Sequence, residues 1–198
     1  MKLNSVERAA MNNPVRAAHQ HHREAAWFRR LAGGALSGQR VLEVGCGRGV
    51  GAEVILDRLG AATVTAFDLD ESMVELARKR LHRRPVSLSV GDVCDIDAPG
   101  ASADSVVNFG IIHHVPDWQL AVAEIARVLR PGGLLLFEEV PRRMLDTWAF
   151  RTFTVHPREN RFEANDFAAE LARHGLHGTA AIEHHLGGFV FVGAARKA

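Results

Sequence analysis

The chain has 198 residues, 47% hydrophobic and 24% charged, with a net charge of +1 at pH 7. That length holds one domain with a full core. The charge excludes a nucleic-acid binder held by bulk electrostatics, and no apolar run approaches the roughly 20 residues of a membrane helix.

Met1–Met11 is polar and mixed in charge and reads as no signal peptide. Positions 14–33 are predicted helical, with Trp27, Phe28 and Leu31 as apolar anchors. "RVLEV" (40–44) is a short apolar run and predicts a buried strand. It leads into a turn with glycines at 45, 47, 49 and 51. Positions 50–60 predict a helix, with Val50, Val54, Ile55, Leu56 and Leu59 mainly on one side and Gly60 as its stop. "TVTAFD" (63–68) is β-branched and aromatic, a second strand. "ESMVELARKRL" (71–81) is a helix with acids at its start and bases near its end, as the helix dipole favours. "VSLSVG" (86–91) and "DSVVNFG" (104–110) predict the third and fourth strands. "WQLAVAEIARVLR" (118–130) is an amphipathic helix closed by "PGG", and "LLLFEEV" (134–140) is the fifth strand. After Val140 the pattern loosens into a basic, aromatic stretch. "NDFAAELARHG" (165–175) predicts a helix with Asn165 as N-cap and Gly175 as C-cap. The end reads as a strand, a turn at Gly187–Gly188 and a returning antiparallel strand.

Repeated strand–helix units with nearly continuous apolar strands predict a parallel sheet covered by helices on both faces. In such folds ligands bind outside the carboxyl ends of the strands, where strand order reverses. The glycine turn follows the first strand and opens a helix. Gly45, Gly47 and Gly49 let the backbone curve and approach a ligand, and the helix N-terminus offers free N–H groups. Two cofactor classes use such a loop. "GRGVGA" (47–52) fits the dinucleotide fingerprint G-x-G-x-x-G/A, which keeps an NAD(P)-dependent oxidoreductase open. The other class is S-adenosylmethionine.

Several stretches carry a resemblance to that second class. Glu43-x-Gly45-x-Gly47-x-Gly49, "AFDLDESMVELAR", "GDVCDI" and "IIHHVPDWQLAVAEIARVLRPGGLLLFEE" resemble, in order and at family spacing, the motifs of class I S-adenosylmethionine-dependent methyltransferases. "LRPGG" before a strand is similar to the small-molecule branch, including quinone-biosynthesis-type enzymes. The resemblance runs from about Val41 to Val140 and more weakly to the end. It implies a Rossmann-like α/β three-layer sandwich with a seven-stranded mixed sheet, whose one antiparallel strand lies between the fifth and sixth. It implies S-adenosylmethionine as cofactor and S-adenosylhomocysteine as product. The units are an N-terminal helical cover (1–39), a cofactor-binding core (40–140), a lid segment (141–162) and a C-terminal helix and hairpin (163–198).

By the same resemblance, the loop at Gly45, Cys46, Gly47 and Gly49 passes under the methionine part of the cofactor, and Glu43 helps hold its amino group. Asp68, at the end of the second strand, accepts from the ribose hydroxyls, while Asp70 is the better helix cap. Leu69 and Met73 pack on the adenine. Asp92 accepts from the adenine amino group, and Val93 offers its backbone N–H. Phe109 and Gly110 line the sulfonium pocket. Cys46 is a small filler, Arg48 faces solvent, and Gly51 serves close packing in the helix.

Methyl transfer needs alignment, desolvation and, for a protonated nucleophile, a base. His113 and His114 follow the fourth strand and are base candidates, with a structural or cofactor-contacting role as the alternative. Of Glu138 and Glu139, Glu138 is the catalytic candidate. Glu139 could instead cap, or pair with Arg142 or Arg143. His156 lies in the lid. His19, His21 and His22 lack a partner with metal-ligand spacing, and His184 and His185 point to opposite faces of a strand, so no metal is expected. The aromatics Trp27, Phe28, Trp148, Phe150, Phe153 and Phe162 predict packing between lid and sheet, with some left for an apolar substrate slot. Positions 1–40 hold 7 basic and 2 acidic residues, 41–140 hold 9 and 15, and 141–162 hold 5 and 2. The basic flanks point to an anionic or carboxylate-bearing small molecule as acceptor. The sequence leaves the accepting atom, a non-catalytic binding role and the oligomeric state open. Cys46 and Cys94 make no disulfide framework, so a reducing, cytoplasmic location is expected.

Overall fold

The computed structural model describes residues 13–154 and 156–198, with the backbone only for Ala149 and Phe153. The readings of Met1–Met11 and of the Phe153 ring lie outside the described residues. The first helical stretch comes in three pieces: α1 (Pro14–His19), a π-helical turn (Gln20–Glu24) and α2 (Ala25–Leu31). Asn13 caps it by accepting from the Arg16 N–H at 2.8 Å, with Pro14 at the first helical position. The π turn inserts one extra residue per turn and rotates Gln20 and Glu24 inward, both buried.

Strands and helices then alternate: β1 (Arg40–Val44), α3 (Val50–Asp57), β2 (Thr63–Asp68), α4 (Glu71–Arg80), β3 (Val86–Val90), β4 (Ala103–Phe109), α5 (Trp118–Val128) and β5 (Leu129–Glu139). The lid region holds α6 (Arg142–Leu145) and α7 (Trp148–Phe153). Then come α8 (Ala164–Arg173), β6 (Leu176–Gly178), β7 (Glu183–His185) and β8 (Val190–Lys197). The α8 N-cap is Glu163, not Asn165: Glu163 and Asp166 form a reciprocal capping box, which satisfies two orphan N–H groups where Asn165 would satisfy one. No helix among the described residues is long and apolar enough to cross a membrane.

The sheet runs β3-β2-β1-β4-β5-β8-β6, and β7 also pairs with β8. Strands β1 to β5 are mutually parallel, and β8 is antiparallel to β5, β6 and β7. β6 pairs with Ala195–Lys197 and β7 with Val190–Val192, so the two lie end to end along one edge of β8. The expected seven-strand breadth is therefore kept, with the outermost position broken between Gly178 and Glu183. The antiparallel strand sits inside the sheet, as the class I methyltransferase arrangement requires.

One apolar cluster, including Leu42, Val44, Val106, Ile125, Phe137 and Phe167, packs α5 and α8 on one face of the sheet. A second, including Phe28, Val41, Ile55, Val64, Ala77 and Leu136, packs α2, α3 and α4 on the other. Burial on both faces is why β1, β4 and β5 read as continuous apolar runs. Strand order reverses at β1, between β2 and β4, which puts a crevice at their carboxyl ends. The segment 141–162 is tied to the chain beside this edge. Phe162 packs on Trp118 with ring centroids 4.7 Å apart, and Asn160 Nδ2 donates to the Pro116 carbonyl at 2.7 Å.

Candidate functional site

A cavity of about 310 Å³ opens at the carboxyl ends of β1, β2, β3 and β4. Its wall starts with the glycine turn, where each glycine has a separate reason. Gly45 has φ +72°, and a Cβ there would meet Ile111 Cγ2 at 2.6 Å. Gly47 has φ +50°, and a Cβ would meet nothing within 4 Å, so it opens on the cavity. Gly49, at φ +85°, turns away: its Cβ would press on Leu81 of the α4 end at 2.8 Å. Gly51, inside α3, makes room for Glu43, whose Oε1 a Cβ would overlap, and for Phe109 at 2.8 Å.

Glu43 is 1% exposed, and among the described residues its Oε2 has no hydrogen-bond partner. Burial first, and the nearby Asp68 carboxylate second, push its carboxyl up to about 8. A buried, unpaired carboxylate of this kind is costly unless a cation joins it. Asp68 is held differently. Its Oδ2 accepts from the Gly47 N–H at 2.8 Å and its Oδ1 from the Asp70 N–H at 2.9 Å. It thus ties the glycine turn to β2 while its carboxylate still faces the cavity. Burial raises its carboxyl, opposed by those two backbone hydrogen bonds. Asp70 caps α4, accepting from the Ser72 N–H at 3.1 Å. Burial pushes the Cys46 thiol up, which keeps it protonated and fits a packing role.

Cys46, Leu69, Met73, Asp92, Val93, Phe109 and Gly110 also line the cavity. Asp92 turns its loop by accepting from the Cys94 N–H at 2.9 Å. Three further candidates stand elsewhere. Gly49 serves the packing just described. His113 lies behind the wall, and Glu138 lies under the N-terminal helix, where Arg16 Nη2 approaches its Oε1 at 3.6 Å. Burial first, and Glu24 second, raise the Glu138 carboxyl well above its ordinary value. The strand alternation decides this split: Glu138 and Glu139 point to opposite faces of β5, and only Glu139 turns towards the histidines.

Glu139 does not pair with Arg142 or Arg143, which lie against Glu163 instead. It is fully buried and accepts four times: from Asn108 Nδ2 at 2.6 Å, the Ile112 N–H at 2.8 Å, the His113 N–H at 3.1 Å and His113 Nδ1 at 2.5 Å. With Nδ1 donating, His113 presents its Nε2 lone pair. His114 lines the cavity, and its Nδ1 is buried without a partner. Burial first, and His113 second, hold His114 well below the usual imidazole range, so it is neutral. His156 of the lid stacks on His114, centroids 4.3 Å apart and planes at 19°.

Arg48 and Gln20 are among the wall residues that escaped the sequence reading. Arg48 does not face open solvent: it lines the cavity, and its Nη2 donates to the Asn13 carbonyl at 3.3 Å. Gln20 reaches the cavity from the π turn. Its only sequence signal was its place in a helix ahead of β1, and the π turn that aims it carries no compositional mark.

Fold and site together define a Rossmann-like cofactor-binding domain with an internal antiparallel strand. Residues 42–137 match the family described as methyltransferase domain, and the fold is that of the class I S-adenosylmethionine-dependent methyltransferases. The dinucleotide alternative is not favoured. A fatty-acid O-methyltransferase of Mycolicibacterium smegmatis (strain ATCC 700084 / mc(2)155) is 36% identical over 114 residues, covering 57% of this chain and 42% of that one. A phthiotriol/phenolphthiotriol dimycocerosates methyltransferase of Mycobacterium leprae (strain TN) is 35% identical over 114 residues, with 57% and 42% covered. The chain therefore spans less than half the length of these curated relatives. A SAM-dependent methyltransferase structure from Aquifex aeolicus superposes with a TM-score of 0.78 at 19% identity, all of both chains covered, which is a likeness of fold.

Proposed function

We propose that this chain transfers a methyl group from S-adenosylmethionine to a small amphiphilic acceptor, with an oxygen as the accepting atom. The observation that carries the cofactor reading is the Glu43 carboxylate: buried at the cavity floor, one oxygen unpartnered, with Gly51 clearing its space. That orphan fits the ammonium of an amino-acid moiety, and it fits no group of a nicotinamide dinucleotide as well. When bound, S-adenosylmethionine supplies an already activated methyl on its sulfonium.

The residues then divide the work. Glu43 pairs with the ammonium, and the turn at Gly45, Cys46 and Gly47 gives the methionine end close backbone approach. Asp68 keeps lone pairs on both oxygens for the ribose hydroxyls, beyond those used by Gly47 and Asp70. Leu69, Met73 and Val93 hold the adenine, with Asp92 accepting from its amino group. Phe109 and Gly110 flank the sulfur and exclude water. His114, neutral and at the mouth of the cavity, meets the acceptor. Its depressed basicity makes it an orienting group more than a strong base.

The acceptor class rests on two supports. The relatives' names concern a fatty acid and phthiotriol or phenolphthiotriol dimycocerosates. On the surface beyond the cavity, Phe150 meets Phe189 with ring centroids 5.3 Å apart, and Trp148 of the same helix is exposed. Three of the five arginines in 141–162 are engaged with acids, Arg142 and Arg143 with Glu163 and Arg161 with Asp146. We therefore favour an apolar acceptor with a single hydroxyl or carboxylate head over a polyanion. The test is a methyl-donor assay against fatty acids, phenols and long-chain alcohols, with mass spectrometry of products. A methyl ester or ether is expected. S-adenosylhomocysteine binding with no acceptor methylated across the panel would count against the transferase reading.

A further inference from the structure

The fold gathers three histidines that the sequence keeps apart. His113 and His114 belong to the short 3-10 turn Ile112–His114 after β4, and His156 comes from the lid, 42 positions after His114. One ring nitrogen of each lies within 4.8 Å of the others. The centroids stand 4.3 Å apart for His113 and His114, 4.3 Å for His114 and His156, and 5.4 Å for His113 and His156. Three features point beyond simple packing. Among the described residues the buried His114 Nδ1 has no partner, a cost that a bound ligand would remove. The Glu139 carboxylate accepts a hydrogen bond from His113 Nδ1 at 2.5 Å, the kind of contact that orients a metal-bound imidazole and fixes its tautomer. And His114 lines the cavity, so the three rings meet at its wall and not in the core.

We propose that His113, His114 and His156 form a three-imidazole site for a divalent transition metal of the zinc class, at the acceptor end of the cavity. Three neutral nitrogen donors without thiolate or carboxylate suit zinc, cobalt, nickel or copper and disfavour magnesium. Three protein ligands leave a fourth position open, as in catalytic sites and unlike closed structural ones. Because His114 lines the cavity, that position faces the acceptor, and a hydroxyl or carboxylate oxygen is the donor it would take. Donors around a metal at about 2.0–2.1 Å stand roughly 3.4 Å apart in a tetrahedron. Binding therefore draws the rings together by about 1 Å, which rotation of the His114 and His156 side chains supplies. The use of the metal rests on the methyl-transfer reading; the site itself does not.

Cobalt(II) is the probe, because its visible absorption reports nitrogen coordination. Titration of chelator-treated protein should give one equivalent bound with a visible band, displaced by Zn²⁺ and not by Mg²⁺. His156→Ala, on a lid loop outside the core, should weaken Co²⁺ binding at least tenfold while S-adenosylhomocysteine still binds. Glu139→Gln, which keeps the shape but weakens orientation, should cost about 10–100-fold in metal affinity. A His21→Ala/His22→Ala variant should bind Co²⁺ as the wild type does. Unchanged Co²⁺ affinity in His156→Ala, or a band lost only in the His21→Ala/His22→Ala variant, would overturn the site. A Co²⁺ site in a protein that does not bind S-adenosylhomocysteine would leave the metal site standing and defeat the methyl-transfer reading instead.

Discussion

Glu43→Gln should make the cofactor-free protein more stable and the cofactor site nearly useless. In the folded chain burial lifts the Glu43 carboxyl from its ordinary 4.5 to about 8. The sign follows from proton counting. Between those values the native state keeps the proton and the unfolded chain releases it, so stability falls as pH rises through the window and levels off above about 8. At pH 7 the ionisation forgone on folding spans about 2.5 units, or about 3 kcal/mol at 1.36 kcal/mol per unit. Glutamine is the isostere of the protonated form and carries no such cost. The variant should therefore gain up to about 3 kcal/mol at pH 7, a rise of about 6–12 °C in a domain of this size. The gain should vanish near pH 4 and grow up to about pH 8. In the same variant, loss of the charge-assisted contact to the ammonium should remove about 1.5–3 kcal/mol, roughly 10–150-fold in S-adenosylhomocysteine affinity. The assays are thermal denaturation across pH 4–9 and calorimetric titration at pH 7.5. A pH-independent stability difference, or unchanged affinity, would refute the reasoning.

Other expectations follow from the same geometry. The wild-type affinity for S-adenosylhomocysteine should rise with pH towards about 8 as Glu43 ionises, then fall at higher pH as the ligand's own ammonium loses its proton; Glu43→Gln should lack the rising limb. Gly51→Ala improves helix propensity by about 0.5–1 kcal/mol, yet its Cβ would overlap Glu43 Oε1 and crowd Phe109, so calorimetry should show affinity reduced at least tenfold. Asp68→Ala should weaken cofactor binding and, by freeing the Gly47 and Asp70 N–H groups, lower the melting temperature as well. Glu139→Ala strands the Ile112 and His113 N–H groups and Asn108 and should cost about 3 kcal/mol or more in chemical denaturation.

The core of the fold was legible because its signals are local. β1, β4 and β5 are buried on both faces, so their apolar runs stand out, and α4 carries its cap Asp70 and its charge gradient in plain order. Much of the cavity wall from Glu43 to Gly110 was legible for a different reason: most of these residues sit at or just beyond the carboxyl end of a strand, so fixing the strands fixed them. What stayed hidden depends on rotation or on long-range meeting. Glu138 and Glu139 are adjacent, and which one faces the histidines depends on strand phase. Gly49 looks like its neighbours, and only the position of Leu81 shows that it serves packing. Gln20 is aimed by a π turn with no sequence signature, and His156 joins His113 and His114 through a lid whose path lacks periodicity. The broken outer strand at Gly178 and Glu183 was read as continuous, because residues 179–182 carry no residue that excludes a strand.

The central claim is that Glu43, the glycine turn and Asp68 build a site for S-adenosylmethionine. Side-by-side calorimetric titration of the wild-type chain with S-adenosylhomocysteine and with NAD tests it most directly. One equivalent of S-adenosylhomocysteine should bind, with the binding lost or strongly weakened in Asp68→Ala and no response to NAD. Tight NAD binding with S-adenosylhomocysteine silent would contradict the account.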